Sequence, residues 1–429
     1  MSTPAPRTAR AGGYALYVLL MLVAVSAFNY MDRFLLVITL ESIGRDLRLT
    51  DTQLGILAGF AFSAVYTVVG LFVARWADHG NRRNIMSIGL AFWSAMTALC
   101  AGARNFLQLA ACRFGVGVGE STCTPSAHSL ISDYFRSDRR ATAFAVYCLG
   151  LYIGLGLGFS GGGWLNAHYG WRMAFLIAGL PGLVLAIVFR LTVREPVRGL
   201  SDVPGTDARQ YSMMEVWHYL RDRPSFLAYV AGTGFFVFSG NAVEYWGATF
   251  LIRVHGLPGA EVGRMMGSLG ALGGVLGIMI PALIADRLAV RDLRWYLWVS
   301  AIGGGLIIPS ALLFLFNNGT HLYALYFVAT IFGATYMAPV VALTQRLLPL
   351  HLRALSSAII LLSFNIIGVA GGNLVTGALS DALRSTFGVE SIRYAMALTL
   401  SGSVVGVALM AYSSHRLFRD MTSGKTTST

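Results

Sequence analysis

Four charged residues lie inside long apolar stretches of the sequence. Asp32 and Arg33 are adjacent in the first stretch, and Arg113 and Glu120 are seven residues apart in a later one. A charge at the centre of a membrane helix costs roughly 2.5–3.5 kcal/mol on insertion scales. Each of these residues therefore needs either an oppositely charged partner or a functional role. The four residues can form a fixed ion-pair network that sets helix packing. They can also face a water-filled cavity and change partners with a proton or a charged ligand. We favour the cavity, because a fixed pair needs only one acid and one base.

The composition shows which elements must position these charges. The 429 residues are 55% hydrophobic and 12% charged, whereas soluble domains carry about 25% charged residues. Apolar segments long enough to cross about 30 Å of hydrocarbon recur along the chain. Each must be helical, because lipid-exposed backbone has to satisfy its own hydrogen bonds. The predicted spans are 14–40, 52–74, 84–101, 105–133, 141–165, 172–194, 225–252, 260–285, 295–316, 320–345, 354–379 and 393–415.

The distribution of basic residues predicts the orientation. The net charge is +12, but the arginines are not gathered on one soluble face. If both termini are cytoplasmic, the inner tails and loops hold 22 of the 32 Lys and Arg residues and the outer loops hold 8. This imbalance is the positive-inside pattern. We therefore expect a multi-pass protein of the bacterial inner membrane, and no binding of nucleic acid.

Short motifs recur 208 to 221 residues apart and indicate two related halves. They are Ala74-x-x-Ala77-Asp78 with Ala282-x-x-Ala285-Asp286, Arg140-Ala141 with Arg353-Ala354, and Arg172 with Arg393. The sequence thus predicts an all-α membrane protein with two pseudo-symmetric six-helix bundles, 1–194 and 224–429, joined by a cytoplasmic linker at 195–223. Repeats of this kind place a substrate site between the halves, with alternating access by rocking.

No motif supports soluble-site chemistry. The four cysteines show no metal spacing or disulfide framework. Gly115-x-Gly117-x-Gly119 has no preceding strand and no following P-loop lysine, so we interpret it as close helix packing. We predict no catalytic residue, no cofactor, no metal site and no enzymatic activity.

Further polar residues lie in the first and seventh spans. Asn29 and Tyr30 precede the Asp32-Arg33 pair, and Glu244, Tyr245 and Trp246 are consecutive. We list all five as candidate substrate-binding residues with Arg33 and Arg113. The alternative for the seventh span is that its polar groups hydrogen-bond neighbouring helices.

The loop after the second span carries a family resemblance. Asp78-His79-Gly80-Asn81-Arg82-Arg83 resembles the signature loop of the major facilitator superfamily, with His79 where an arginine is usual. The stretch Gly154-x-x-x-Gly158-Phe159-x-x-Gly162-Gly163 resembles its antiporter motif, with Phe159 in place of proline. The resemblance implies an inner gate that locks when the cavity opens outward, formed by Asp78, Arg82, Arg83, Asp133 and Arg136, with Asp286 as the counterpart in the second half.

A narrower resemblance is to the spinster-like branch of sphingolipid and lysophospholipid carriers. It rests on Asn29-Tyr30-Met31-Asp32-Arg33, on Gly117-Val118-Gly119-Glu120 with Pro125 and Asp133 downstream, and on Arg194-Glu195-Pro196-Val197-Arg198-Gly199. It implies a proton-linked carrier of amphiphilic lipids, with Asp32 and Glu120 as proton-responsive acids. Arg33 and Arg113 would recognise an anionic head group.

Other functions remain open from the sequence alone. We expect a monomer whose partners are the lipid substrate, protons and the surrounding membrane lipids. A proton-coupled multidrug exporter and a small organic-anion importer are the alternatives within transport. A membrane receptor or structural protein is the alternative outside it.

Overall fold

The computed structural model describes residues 12–197, 223–347, 356 and 359–423. All regular secondary structure in these residues is helical. Eight helical segments in them are long and apolar enough to cross a membrane, and Thr142–Thr192 and Ile359–Leu417 are each long enough for two spans. The two more polar helices that begin at Arg82 and Phe106 complete the predicted set. Most of the predicted linker, 195–223, lies outside the described residues.

The first half contains six helices, two of which share one continuous segment. Gly170, with φ 78° and ψ 165°, separates α5 from α6 within Gly162–Thr192. The bounds are α1 Gly13–Leu47; α2 Asp51–Gly55, the π-helical Ile56–Phe60 and Ala61–His79; α3 Arg82–Cys100; α4 Phe106–Glu120 and Cys123–Tyr134; α5 Ser137–Gly156, the π-helical Leu157–Gly161 and the start of Gly162–Thr192; and α6 the remainder of Gly162–Thr192.

The second half repeats this layout with more interruptions. Its bounds are α7 Pro224–Glu244 and Gly247–Arg253; α8 Gly259–Ala289; α9 Trp295–Leu315; α10 Leu322–Gly333 and Met337–Leu347; α11 the π-helical Phe364–Gly371 and Gly372–Phe387; and α12 Ser391–Thr399 and Ser401–Ser423.

Local sequence explains where several helices start and break. Asn81 caps α3 by accepting a hydrogen bond from the Asn84 amide, and Thr50 with Gln53 forms a capping box at the start of α2. The span predicted as 105–133 is interrupted directly after Glu120. There the Ser121 and Thr122 hydroxyls donate to the carbonyls of Val118 and Gly119, a pattern that bends helices.

The apolar core divides the molecule along the membrane normal. One cluster draws side chains from both halves, including Leu40, Trp171, Trp246, Phe250 and Phe314, all at the predicted outer end. At the predicted cytoplasmic end each half has a cluster of its own. The two halves therefore share a continuous core only at the predicted outer end of the described chain.

Glycines allow the halves to approach closely along α2–α11 and α5–α8. A Cβ atom on Gly263 of α8 would lie 2.2 Å from the Phe159 carbonyl oxygen, and one on Gly377 of α11 would lie 2.2 Å from that of Asp51. Backbone therefore packs on backbone at these points, in the manner of small-residue interfaces in membranes.

Candidate functional site

Arg33 lies at the centre of an aromatic and acidic site. Its Nε donates to Glu120 Oε2 at 2.8 Å, which joins α1 to α4. Its guanidinium carbon lies 4.6 Å from the Phe62 ring centroid and 5.0 Å from those of Tyr30 and Tyr66. Cation–π contacts of this kind hold a guanidinium in place without using its hydrogen-bond donors. The Nη1 and Nη2 donors of Arg33 thus remain available.

Asp32 and Arg113 form a second pair directly beside the first. Arg113 Nη1 donates to Asp32 Oδ2 at 2.7 Å, and the Thr97 hydroxyl donates to Asp32 Oδ1 at 2.7 Å. Adjacent residues of a helix point about 100° apart, so Asp32 and Arg33 reach different parts of α4. Both oxygens of Asp32 are therefore occupied by partners.

The four charges differ in access and in unused hydrogen-bonding capacity. The Arg33 side chain is 16% exposed, while those of Asp32, Arg113 and Glu120 are 4%, 2% and 0% exposed. Glu120 Oε1 and Arg113 Nε are buried without a hydrogen-bond partner. A buried carboxylate oxygen without a partner is costly, and protonation would lower that cost by removing the negative charge. Arg33 is therefore the group that a ligand can reach, and Glu120 has a free oxygen that can take a proton.

The other predicted substrate-binding residues differ in how accessible their side chains are to solvent. Tyr30, Glu244 and Tyr245 are partly accessible, whereas Asn29 and Trp246 are buried. The Tyr245 ring packs 6.5 Å from that of Phe34 and so faces the first half. Trp246 lies in the core shared by both halves, and its Nε1 has no partner. Trp246 therefore does not reach accessible space in this conformation.

The predicted inner gate is built around Arg82. Arg82 is 1% exposed, pairs with Asp133, and donates from Nε to Glu195 Oε1 at 2.7 Å. The Arg83 amide donates to Glu195 Oε2 at 2.9 Å. We call Arg82, Arg83, Asp133 and Glu195 the inner cluster. Arg82, Arg83 and Asp133 belong to the first half, and Glu195 directly follows its last helix. The contacts described for this cluster therefore tie α3, α4 and the end of α6 together.

The remaining predicted gate residues take other positions. Arg136 stands at the N-cap of α5. Asp286 accepts a hydrogen bond from the Tyr296 hydroxyl at 2.5 Å and lies 3.7 Å from Arg346, within the second half. The backbone of Asp78 lies in the last turn of α2, which ends at His79, and its side chain lies outside the described part of the structure.

A second charged cluster, absent from the sequence-based predictions, joins the halves at the predicted outer end. Arg253 of α7 contacts Glu41 Oε2 at 2.8 Å and Asp51 Oδ2 at 2.7 Å. Asp381 of α11 accepts hydrogen bonds from the backbone amides of Asp51 and Thr52, at 3.0 and 2.7 Å. We call Glu41, Asp51, Arg253 and Asp381 the outer cluster. The capping box at Thr50 marks a helix start beside Asp51, but nothing in the sequence indicates which residues meet there.

An apolar cavity of about 220 Å³ lies between α1, α5 and α6. Phe28, Met31, Leu157 and Ile177 line it, and the last two are exposed apolar side chains. Met31 and Arg33 are two residues apart, or about 200° around the helix. The cavity is therefore on the opposite face of α1 from the Arg33 guanidinium, and it is not part of the same site.

Two helical bundles share a core at one end, and the first bundle holds paired charges in its interior. This architecture is that of a polytopic membrane carrier. The chain belongs to the Major Facilitator Superfamily, whose family profile matches residues 22–372. It is 35% identical over 94% of its length to an "MFS-type efflux pump" of Mycolicibacterium smegmatis, 93% of which is covered. It is 27% identical to "Protein spinster homolog 1" of Xenopus tropicalis, over 92% of this chain and 79% of that protein.

A solved structure supports the same assignment. A bacterial homolog of the human lysosomal transporter Spinster, in an inward-facing and unoccupied conformation, superposes with a TM-score of 0.87 at 27% identity. The match covers 95% of this chain and 98% of that one. The prediction of a spinster-like transporter with the superfamily fold is confirmed. The related proteins are transporters rather than enzymes.

Proposed function

We propose that this secondary transporter carries amphiphilic lipids, of lysophospholipid or sphingolipid type, in exchange with or together with protons. The observation that carries the proposal is the Arg33 site. Glu120 and three aromatic rings fix the guanidinium while its terminal nitrogens stay open to a ligand. Guanidinium binds phosphate or carboxylate in a bidentate manner that lysine cannot copy. The surrounding rings offer an apolar surface to the first part of a tail.

The proton is assigned to the same site. When the anionic head of a ligand approaches Arg33, it competes with Glu120 for the guanidinium. The buried Glu120 then loses the one hydrogen-bond partner that it has among the described residues, and a proton on its carboxylate offsets that loss. Asp32 stays bound to Arg113 and Thr97 through both oxygens, so Asp32 acts mainly by holding Arg113. Proton uptake at Glu120 and head-group binding at Arg33 are thereby coupled.

The placement in the cell follows the charge distribution. We place the protein in the bacterial inner membrane as a monomer with both termini cytoplasmic, in two units, 1–194 and 224–429, with 195–223 between them. The inner cluster then faces the cytoplasm and the outer cluster faces the periplasm.

Binding and transport by the purified protein test the lipid and proton assignments. Affinity for single-chain lipids of one head group should rise with tail length, since each methylene removed from water contributes about 0.8 kcal/mol. Arg33→Lys should weaken the binding of ligands with an anionic head much more than the binding of uncharged amphiphiles. If short organic anions without a tail bind as tightly as long-chain lipids, the lipid assignment is wrong.

Glu120→Gln should abolish pH-driven uptake into proteoliposomes, whereas Asp32→Asn should affect uptake together with thermal stability.

A second candidate is export of drug-like amphiphiles. The similarity to an efflux pump over 94% of the chain favours it. A drug exporter would bind hydrophobic cations as well as anions, and Arg33→Lys would leave that binding unchanged. Thermal stabilisation by a panel of cationic drugs, compared between wild type and Arg33→Lys, separates the two functions.

A further inference from the structure

The apolar cavity between α1, α5 and α6 belongs to the lipid-facing surface of the first half. All the residues that line it are apolar or glycine, and all of them come from these three helices. Leu157 of α5 and Ile177 of α6 remain 49% and 39% exposed. Large apolar side chains on the same two helices, among them Ile153, Met173 and Leu180, are also exposed. The cavity is therefore a recess in a surface that is itself apolar.

Three glycines of α5 shape this recess. A Cβ atom on Gly158 would lie 2.7 Å from the Met31 carbonyl oxygen, and one on Gly162 would lie 2.8 Å from Leu35 Cδ1. These two glycines therefore allow α5 to pack closely on α1. Gly161 also lines the cavity, but a Cβ atom there would meet no atom within 4 Å. A side chain at position 161 would consequently enter the cavity.

The depth of the cavity places it beside lipid chains. The turn between α5 and α6 lies at Gly170, at the predicted outer end, and Trp164 and Tyr169 just before it are 49% and 57% exposed. Exposed Trp and Tyr side chains are typical of the head-group level of a bilayer. Gly161 and Ile177 are nine and seven residues from Gly170, or about 10–14 Å along a helix. Since half of the hydrocarbon layer is about 15 Å thick, the cavity faces the chains of the predicted outer leaflet.

The size and lining of the cavity determine what can occupy it. An apolar cavity of about 150 Å³ holds a benzene molecule, so about 220 Å³ admits a longer run of methylene groups. A helix from a second protein copy is about 10–12 Å across and would fill this volume in less than one turn. A charged or polar ligand would lose its hydration without any polar side chain to replace it. A single hydrocarbon chain therefore fits best.

The same part of α5 also meets the second half. Leu157 and Gly161 are the ends of a π-helical segment, and both line the cavity. Phe159 and Ser160 lie between them and contact α8. The Phe159 carbonyl packs directly on Gly263, and the Ser160 hydroxyl donates to the Gly263 carbonyl at 3.3 Å. An occupant of the cavity would thus support α5 in the position that it has when it packs on α8.

We propose that this cavity binds one acyl chain of a bilayer phospholipid from the predicted outer leaflet, as a resident lipid and not as a transported substrate. The hydrophobic effect does not favour the cavity over bulk lipid, so the chain is held by the contacts that a protein-shaped recess provides. The inference goes beyond the proposed function, because the cavity and the Arg33 guanidinium lie on opposite faces of α1.

The test uses a phosphatidylglycerol with a photoreactive diazirine in the middle of one acyl chain. The full-length protein is placed in phosphatidylethanolamine nanodiscs that contain this probe, and crosslinked residues are identified by mass spectrometry. In wild type, Met31 and Ile177 should react about 10-fold more than Leu180, which corresponds to about 1.4 kcal/mol. Leu180 is the reference because it is 49% exposed on α6 and does not line the cavity.

Two variants fill the cavity from different helices. Gly161→Leu places a side chain in the open space, and Ile177→Trp enlarges a side chain of the lining. Each should lower crosslinking at Met31 about 10-fold. Gly156→Leu is the matched control on α5, since its Cβ also meets no atom within 4 Å but Gly156 does not line the cavity. Leu180→Trp is the control on α6. Both controls should leave crosslinking at Met31 unchanged.

Thermal stability gives a second measurement. Wild type purified in detergent should unfold at a higher temperature after phospholipid is added back, because the bound chain supports α5. Gly161→Leu should gain less from added phospholipid than Gly156→Leu does, since the new side chain of Gly161→Leu already occupies the cavity. An equal gain in these two variants would contradict the proposal.

The crosslinking outcomes are equally decisive. Equal reaction of Met31 and Leu180 in wild type would indicate ordinary boundary lipid and would overturn the proposal, as would equal losses at Met31 in the filled and control variants. Crosslinks between two protein copies at Ile177 in place of lipid crosslinks would assign the cavity to a dimer contact. If one filled variant does not fold, the other decides. Loss of lipid transport with intact crosslinking at Met31 would refute the proposed function alone.

Discussion

The outer and inner clusters each contain an arginine paired with two carboxylates, but the two clusters connect different parts of the molecule. The Arg82 side chain is 1% exposed and that of Arg253 is 12% exposed. Arg253 joins Glu41 and Asp51 of the first half to α7 of the second. Arg82 joins Asp133 of the first half to Glu195, which directly follows that half. Among the described ion pairs, those that cross between the halves lie at the predicted outer end. The outer cluster must therefore break whenever that end opens, whereas the inner cluster can persist while the cytoplasmic end is open.

The largest expected effect comes from removing the arginine that crosses between the halves. Arg253→Ala leaves the buried Asp51 with the Ser380 hydroxyl and Glu41 with the exposed Arg45 as the described side-chain partners. Breaking a buried pair in this way costs about 3–5 kcal/mol. The cost falls on the outer-closed conformation alone, so the population should shift toward outer-open by about 100-fold or more. Spin labels at the exposed positions Arg48 and Ser385 should report a longer distance across the outer end.

Arg45 provides a matched control for that change. It pairs with the same carboxylate, Glu41, but within α1, and its side chain is 67% exposed. Arg45→Ala should shift the equilibrium little, because exposed pairs contribute about 0–1 kcal/mol. Equal distance changes in both variants would show that the charge of Glu41, rather than the bridge between halves, sets the closure.

A second prediction concerns backbone packing at the same boundary. Gly263→Ala would place a Cβ atom 2.2 Å from the Phe159 carbonyl oxygen, and such overpacking costs about 1–3 kcal/mol. The outer-closed conformation should lose this amount and open, as seen by the same labels. Gly161→Ala, where no atom lies within 4 Å of the new Cβ, should leave the distance unchanged. An unchanged distance in Gly263→Ala would mean that α5 and α8 can separate while the outer end stays closed.

A third prediction tests whether the inner cluster stabilises the protein without affecting the distance between the halves at the outer end. Glu195→Gln weakens the hydrogen bonds to Arg82 and to the Arg83 amide, each a charged contact of about 1.5–3 kcal/mol. The thermal stability of the protein should fall, but the distance between labels at Arg48 and Ser385 should not change. A longer distance at the outer end in this variant would contradict the separation of the two clusters.

The smallest effect is expected at Asp286, the second-half counterpart of the predicted gate. Its contact with Arg346 is 3.7 Å long, with side chains 57% and 48% exposed. Asp286→Asn should therefore change stability by less than about 1 kcal/mol and move no label distance. A large opening of the cytoplasmic end, measured between labels at the exposed residues His79 and Arg291, would restore Asp286 to a gating role.

The four charged residues at the Arg33 site could be predicted because a charge in an apolar span stands out. Phe62, Tyr66 and Thr97, which also contact these charges, were not predicted, because aromatic and hydroxyl side chains are common in membrane helices. The pairing of the four charges could not be predicted in the same way. Arg113 and Glu120 lie on one face of α4, but each pairs with a residue of α1 rather than with the other. Which partner is chosen depends on how α1 and α4 cross, and this crossing is set by tertiary packing.

The outer cluster shows where sequence reasoning lacked a signal. Arg253 and Asp381 are ordinary charges near helix ends, and Asp381 caps a helix 330 residues away in the chain. The predicted linker begins at Glu195, although this residue completes the inner cluster. Helix positions followed from hydropathy, since each span must satisfy its own backbone in lipid. Contacts between loops and helix ends carry no comparable periodic pattern.

The π-helical segments bear on how the length of this chain can vary. Ile56–Phe60, Leu157–Gly161 and Phe364–Gly371 each lie in a helix at the boundary between the halves. A π turn contains one residue more than an α turn, while the flanking parts of the helix keep their orientation. Removing one residue there would restore the ordinary repeat, whereas removing one from α3 would turn everything beyond it by about 100°. Natural or engineered one-residue deletions should consequently be tolerated in these three segments before they are tolerated in α3.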